Sequence, residues 1–150
     1  MIFDIIQGGR RYFYRDGIQY VRMPVETRIS ASGYSTSLKN NGENLIWTSN
    51  TQGGSEVCLN ITNINLTSFR RLKLRVNPAG INLHIKITKH TYQDWDATEN
   101  VFYLHEYNHD WINEEFDISG FTGVYSIQLF YFNNVYDNSK EIKISEWFVE

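Results

Sequence analysis

Short runs in which apolar and polar residues alternate strictly, each closed by Asn, Gly, Asp or Ser, recur along this 150-residue chain. A period of two belongs to an extended strand with one buried face, and an α-helix does not produce it. Within Phe116 to Val149, residues Tyr125, Ile127, Leu129 and Tyr131 share one side, with Ser126 and Gln128 opposite. After the polar turn Val135-Tyr136-Asp137-Asn138-Ser139, Ile142, Ile144 and Phe148 repeat the pattern, so the two runs read as antiparallel strands joined by that turn, each with one face buried. Val57, Leu59 and Ile61 alternate with Cys58, Asn60 and Thr62, and Leu72, Leu74 and Val76 alternate with Arg71, Lys73 and Arg75. Asn77-Pro78-Ala79-Gly80 then leads to Ile81, Leu83, Ile85 and Ile87, which reads as a hairpin, apolar on one face and basic and polar on the other. Turn signals at Asn40-Asn41-Gly42 and Gln52-Gly53-Gly54 and the lack of a sustained 3.6-residue stripe predict an all-β, antiparallel two-sheet β-sandwich.

The beginning of the chain reads differently. Met1 to Ile6 is a short apolar run ended by Gly8-Gly9, and Tyr12–Tyr14 and Ile18–Met23 flank Asp16-Gly17, a dipeptide suited to a two-residue hairpin turn. Pro24 interrupts pairing. Residues 1–24 are therefore expected to form an N-terminal arm or peripheral hairpin, able to dock on another chain, and residues 25–150 the sandwich.

Composition bounds the function. The net charge of -3 argues against a general nucleic-acid binder, which would carry a basic surface. The single Cys, Cys58, excludes an internal disulfide and reads as a small buried residue. No apolar run reaches the length of a bilayer span, so no membrane insertion is expected, and the first residues lack the pattern of a secretory signal. If the chain leaves a cell, it is expected to do so by another route, for example inside a particle.

His105-Glu106-Tyr107-Asn108-His109 matches H-E-x-x-H, in which two His ligate zinc and the Glu serves as general base. On a helix the two His stand about 6 Å apart, suited to one ion. On a strand they are about 13 Å apart, too far. The flanks favour a strand followed by a turn: Val101-Phe102-Tyr103-Leu104 is β-branched and aromatic, and Asn108 and Asp110 are turn formers. A coincidental match is the preferred reading, with His105 and His109 as the zinc alternative.

Two further constellations are candidates. Asp94, Asp96 and Glu99 lie in one connection and offer oxygen ligands for calcium, although acids in a polar loop are commonly just solvated. Otherwise no cofactor is expected. The alternation also sends Arg71, Lys73, Arg75, His84, Lys86, Tyr103, His105 and Tyr107 away from the core. A face mixing rings with polar donors suits sugar recognition, and equally suits a solvated sheet face or a subunit interface. The candidate ligand-binding set is Trp95, Tyr92, Tyr103, His105, Tyr107, Trp111, His84 and Arg75; no catalytic residue is expected.

Several phrases together carry a resemblance: Asn65-Leu66-Thr67-Ser68-Phe69-Arg70-Arg71-Leu72-Lys73-Leu74-Arg75-Val76, then Phe116-Asp117-Ile118-Ser119-Gly120 before Tyr125-Ser126-Ile127, and a closing Ile142-Lys143-Ile144-Ser145-Glu146-Trp147. Over residues 25–150 the order resembles the carbohydrate-binding-module-like jelly-roll domains of bacteriophage and prophage tail, baseplate and receptor-binding proteins. The resemblance implies a β-sandwich of jelly-roll type without enzymatic activity, recognising a saccharide or another virion protein, and located in a virion or in the bacterial cytoplasm before assembly. Two rivals stand beside it: a structural protein that forms a homo-oligomer through the N-terminal arm, and a small zinc hydrolase built on His105, Glu106 and His109.

Overall fold

The structure is a computed structural model and describes residues 2–7, 10–15, 18–22, 25–29, 35–40, 44–51, 53–89, 100–103 and 108–149. Its strands are β1 (Ile2–Gln7), β2 (Arg10–Arg15), β3 (Ile18–Arg22), β4 (Val25–Ile29), β5 (Ser35–Asn40), β6 (Leu45–Asn50) and β7 (Ser55–Asn65). They continue as β8 (Arg71–Asn77), β9 (His84–Thr88), β10 (Asn100–Tyr103), β11 (Ile112–Asp117), β12 (Val124–Asn133) and β13 (Ile142–Val149). A 3-10 turn, Val135–Asp137, separates the last two. Two five-stranded antiparallel sheets make a jelly-roll sandwich: β10-β9-β12-β7-β4, which we call the first sheet, and β11-β8-β13-β6-β5, the second. The strands β1-β2-β3 form a three-stranded sheet of their own, in which Arg15 pairs with Ile18; Asp16 and Gly17, the expected turn, lie outside the described residues.

The inward phase of both sheets merges into one core. From the first sheet come Val57, Leu59, Ile85, Ile87, Tyr125, Ile127, Leu129 and Tyr131; from the second, Trp47, Leu72, Leu74, Val76, Ile142, Ile144 and Val149. Each fully buried aliphatic side chain contributes roughly 1.5–3 kcal/mol of transfer free energy. Trp47 is fully buried, its ring set edge-on to Tyr131 with centroids 5.2 Å apart, and its indole N–H donates to Thr36 Oγ1 at 3.1 Å. Buried Trp is tolerated because that N–H has a partner.

Four expectations need correction. Residues 71–76 and 84–87 are not a hairpin: β8 lies in the second sheet and β9 in the first, so the Asn77-to-Leu83 connection crosses the sandwich. Ile81 and Leu83 are buried within that crossing, which is why they looked like strand residues. Ala79 (φ 54) and Gly80 (φ 77) turn the chain there, in the left-handed region that Gly enters at no steric cost. Likewise β12 and β13 belong to different sheets, joined by the turn in which the Asn134 side chain accepts from the Tyr136 N–H at 2.8 Å.

The third correction concerns Ser126 and Gln128, which stand opposite the core yet are buried, as are Cys58, Lys86 and Thr88 on the same outward face. Alternation marks the phase of a residue but is blind to a buried polar layer. The fourth concerns Phe148. A register shift between Ile144 and Glu146 resets the phase of β13, so that Trp147 and Val149 pair with Leu74 and Leu72, and position 148 falls opposite Lys73. One extra residue in a bulge flips every later position to the other face.

Candidate functional site

The sandwich splits the sequence-derived binding face in two. Arg71, Lys73 and Arg75 are outward on the second sheet, whereas His84 and Lys86 are outward on the first, on the opposite side of the molecule. What looked like one surface is two, because β8 and β9 do not pair.

On the first sheet the register builds transverse rows. One runs Tyr103–His84–Phe130–Cys58–Arg28 across β10, β9, β12, β7 and β4. The next runs Val101–Lys86–Gln128–Asn60–Glu26. At the other end, Phe132 stands beside Glu56. The rings are in contact: His84 and Phe130 centroids are 5.2 Å apart, and Phe130 and Phe132 are 6.3 Å apart at 88°. Lys86 Nζ lies 5.7 Å from the Phe130 ring centre, a cation–π distance. Cys58 Sγ donates to Glu56 Oε1 at 3.4 Å.

Exposure climbs along β12. Gln128 is 1% exposed, Phe130 7% and Phe132 61%. The face therefore has a polar buried floor and an aromatic step that opens to solvent at Phe132. Exposing a Phe ring costs hydrophobic free energy that folding alone does not recover. Sequence reasoning missed Phe130 and Phe132, although the signal was present: both fall on the outward phase of the alternation that placed Leu129 and Tyr131 inward.

On the second sheet, Arg75 and Trp111 do come together. The Arg75 guanidinium carbon is 5.1 Å from the Trp111 ring centre, and its Nη1 donates to Asn113 Oδ1 at 3.1 Å. A separate hydroxyl-lined cleft of about 250 Å³ lies between Ser35, Ser37, Thr48, Ser49, Asn50 and Ser139. It presents no ring on which a sugar would stack.

Tyr92, Asp94, Trp95, Asp96, Glu99, His105 and Tyr107 lie outside the described residues, and Tyr103 is described only by its position on β10. His109 lies in a turn, not on a helix, which is the setting the zinc reading of His105 and His109 requires. The turn is fixed by Asp110 N–H donating to Asn108 Oδ1 at 2.8 Å and by Gly80 N–H donating to the Asn108 carbonyl at 2.8 Å. No group of three or more His, Cys, Asp or Glu side chains placed to hold a metal occurs among the described residues.

No family model matches the chain, and no curated protein matches it in sequence. Solved structures do match in fold. A family 11 carbohydrate-binding module from Clostridium thermocellum, in complex with a beta-1,3-1,4-mixed-linked tetrasaccharide, superposes with a TM-score of 0.57 at 9% identity. The match covers 83% of this chain and 87% of that one. The glycoside hydrolase domain structure of Endo-D from Streptococcus pneumoniae R6 gives a TM-score of 0.57 at 17% identity, covering 84% of this chain and 21% of that one. The enzymatically active domain of tailspike protein 4 from bacteriophage CBA120 gives 0.53 at 9%, covering 83% and 19%. The chain thus spans about a fifth of the Endo-D and tailspike chains and most of the binding module. It has the fold of the carbohydrate-binding modules, and at these identities the likeness defines the fold alone.

Proposed function

We propose that this chain is a non-catalytic module that binds a saccharide on the outward face of the first sheet, at the step formed by His84, Phe130 and Phe132. The observation that carries the proposal is this contiguous aromatic step, buried at Phe130 and open at Phe132, with Glu56 beside it. A pyranose ring lays its C–H face on Phe132, while the Glu56 carboxylate and the His84 imidazole bond its hydroxyls. The narrower part of the proposal is a place in a phage-like particle, where the module engages a host-surface glycan. The resemblance of its strand phrases to those of phage tail modules and the fold similarity to a tailspike domain support it.

Phe132→Ala tests the reading by isothermal titration against soluble neutral β-glucans. The side chain is exposed, so the fold should survive. Loss of one stacking ring is worth about 1.5 kcal/mol, a fall in affinity of about tenfold. Wild-type protein that binds no glucan, or a variant that binds as well as wild type, would sink the proposal.

A further inference from the structure

The outer face of β8 and β11 is a ladder of opposite charges with one rung left open. Outward positions pair across the two strands as Arg71 with Asp117, Lys73 with Glu115 and Arg75 with Asn113. Arg71 Nη1 sits 3.2 Å from Glu115 Oε1, and Lys73 Nζ sits 4.0 Å from Glu115 Oε2. At the third rung a neutral amide replaces the acid. Glu146 stands across from Arg75 on β13, yet no ion pair forms between them, and among the described residues no carboxylate pairs with Arg75.

The guanidinium is nevertheless held in place. Asn113 Oδ1 takes one N–H at 3.1 Å, and the Trp111 indole lies 5.1 Å away. A guanidinium carries five N–H donors in a rigid fork that matches two oxygens of one anion. One donor is used by Asn113, and the Trp111 ring at cation–π distance restrains the group further. Arg and Trp side chains free in solution would have to be ordered at the moment of binding; here that ordering is already present in the fold.

We propose that Arg75, Asn113 and Trp111 form a second subsite, for an anionic group carried on a saccharide: a carboxylate, as in a uronic acid, or a phosphate. The anion completes the open rung by bidentate contact with Arg75, and the sugar ring that bears it lies against Trp111. The subsite is on the opposite sheet from the Phe132 step, so one module would hold two stretches of a charged polymer, or two polymers. The inference rests on the saccharide-binding reading for its ligand class but uses none of the same side chains.

The test is a titration followed by backbone and side-chain NMR, with trigalacturonate, its fully methyl-esterified form and glucose 6-phosphate as probes. Expected shifts fall on the Trp111 indole and the Asn113 amide, with the acid bound at least about tenfold more tightly than the ester. Arg75→Gln should remove that preference, and Arg75→Lys, which keeps the charge and loses the fork, should retain only part of it. Binding of glucose 6-phosphate but not trigalacturonate assigns the subsite to phosphate. Equal affinity for acid and ester together with no phosphate binding overturns the proposal, as does a preference that survives in Arg75→Gln. Phe132→Ala serves as the control that separates the two sites: it weakens neutral glucan and leaves the acid preference in place. All three variants alter outward, incompletely buried side chains, and unchanged far-UV circular dichroism confirms that each is folded.

Discussion

Tyr131→Phe removes a single oxygen from the core and should not weaken the protein at neutral pH. The Tyr131 side chain is 1% exposed, packed against Trp47, and its hydroxyl has no hydrogen-bond partner. Ser49 lies near enough to ease the phenol's ionisation but not in bonding geometry. A buried hydroxyl without a partner costs free energy, so deleting it should leave stability unchanged or raise it by up to about 1 kcal/mol. Burial also pushes the phenol up from 10.0 to about 12, with Ser49 pulling it down and the Asp137 charge pushing it further up. Because the folded value is the higher one, the native state keeps the proton while the unfolded chain releases it, and the stability contribution is lost as pH rises from 10 toward 12. At pH 11 this one residue should cost wild type about 1.4 kcal/mol relative to pH 7. The chain has 10 Tyr in all, so the informative quantity is the difference between wild type and variant. Urea unfolding at pH 7 and pH 11, followed by circular dichroism, gives it: the variant should gain on wild type by about 1.4 kcal/mol across that interval. A loss above about 1 kcal/mol at pH 7 would mean that the hydroxyl is bonded after all, and parallel pH profiles would refute the burial argument.

Gly80→Ala should destabilise, chiefly through the backbone. The residue holds φ 77, and an added Cβ would meet the ring of His109, an exposed side chain that can swing aside, so the cost should be about 1–2 kcal/mol in thermal or urea unfolding. His109→Ala in the same background should return the steric part and leave the backbone part. Asn138→Ala should cost about 2–3 kcal/mol, because Asn138 Oδ1 accepts from Thr51 N–H at 2.9 Å and Asn133 Nδ2 at 2.8 Å, and its Nδ2 donates to the Thr51 carbonyl at 3.0 Å. A change below about 0.5 kcal/mol would show that this knot between the ends of β6 and β12 is redundant.

The strands were legible because burial on one face writes a period of two into the sequence, as at Leu72-Leu74-Val76 and Ile85-Ile87. Their partners were not, because periodicity reports which face is buried and carries no mark of which sheet a strand joins. That is why residues 71–76 and 84–87 resemble a hairpin and yet stand on opposite sheets. The same blindness merged Arg75 and His84 into one surface. The Arg75–Trp111 contact depends on the register of β8 with β11, which no local pattern records. Phe148 went astray through a single bulge. Phe130 and Phe132, in contrast, could have been found by following the outward phase of β12 to its end.

The central claim is that a saccharide binds where Phe132 opens the first sheet to solvent. An NMR titration of the whole chain with a mixed-linked β-glucan tetrasaccharide tests it most directly, since amide shifts locate the ligand without any substitution. The account predicts shifts concentrated at Glu56, His84, Phe130 and Phe132, saturating at millimolar concentration or below. Shifts confined to the second sheet or to the cleft at Ser35 and Ser139, or none at all, would contradict it.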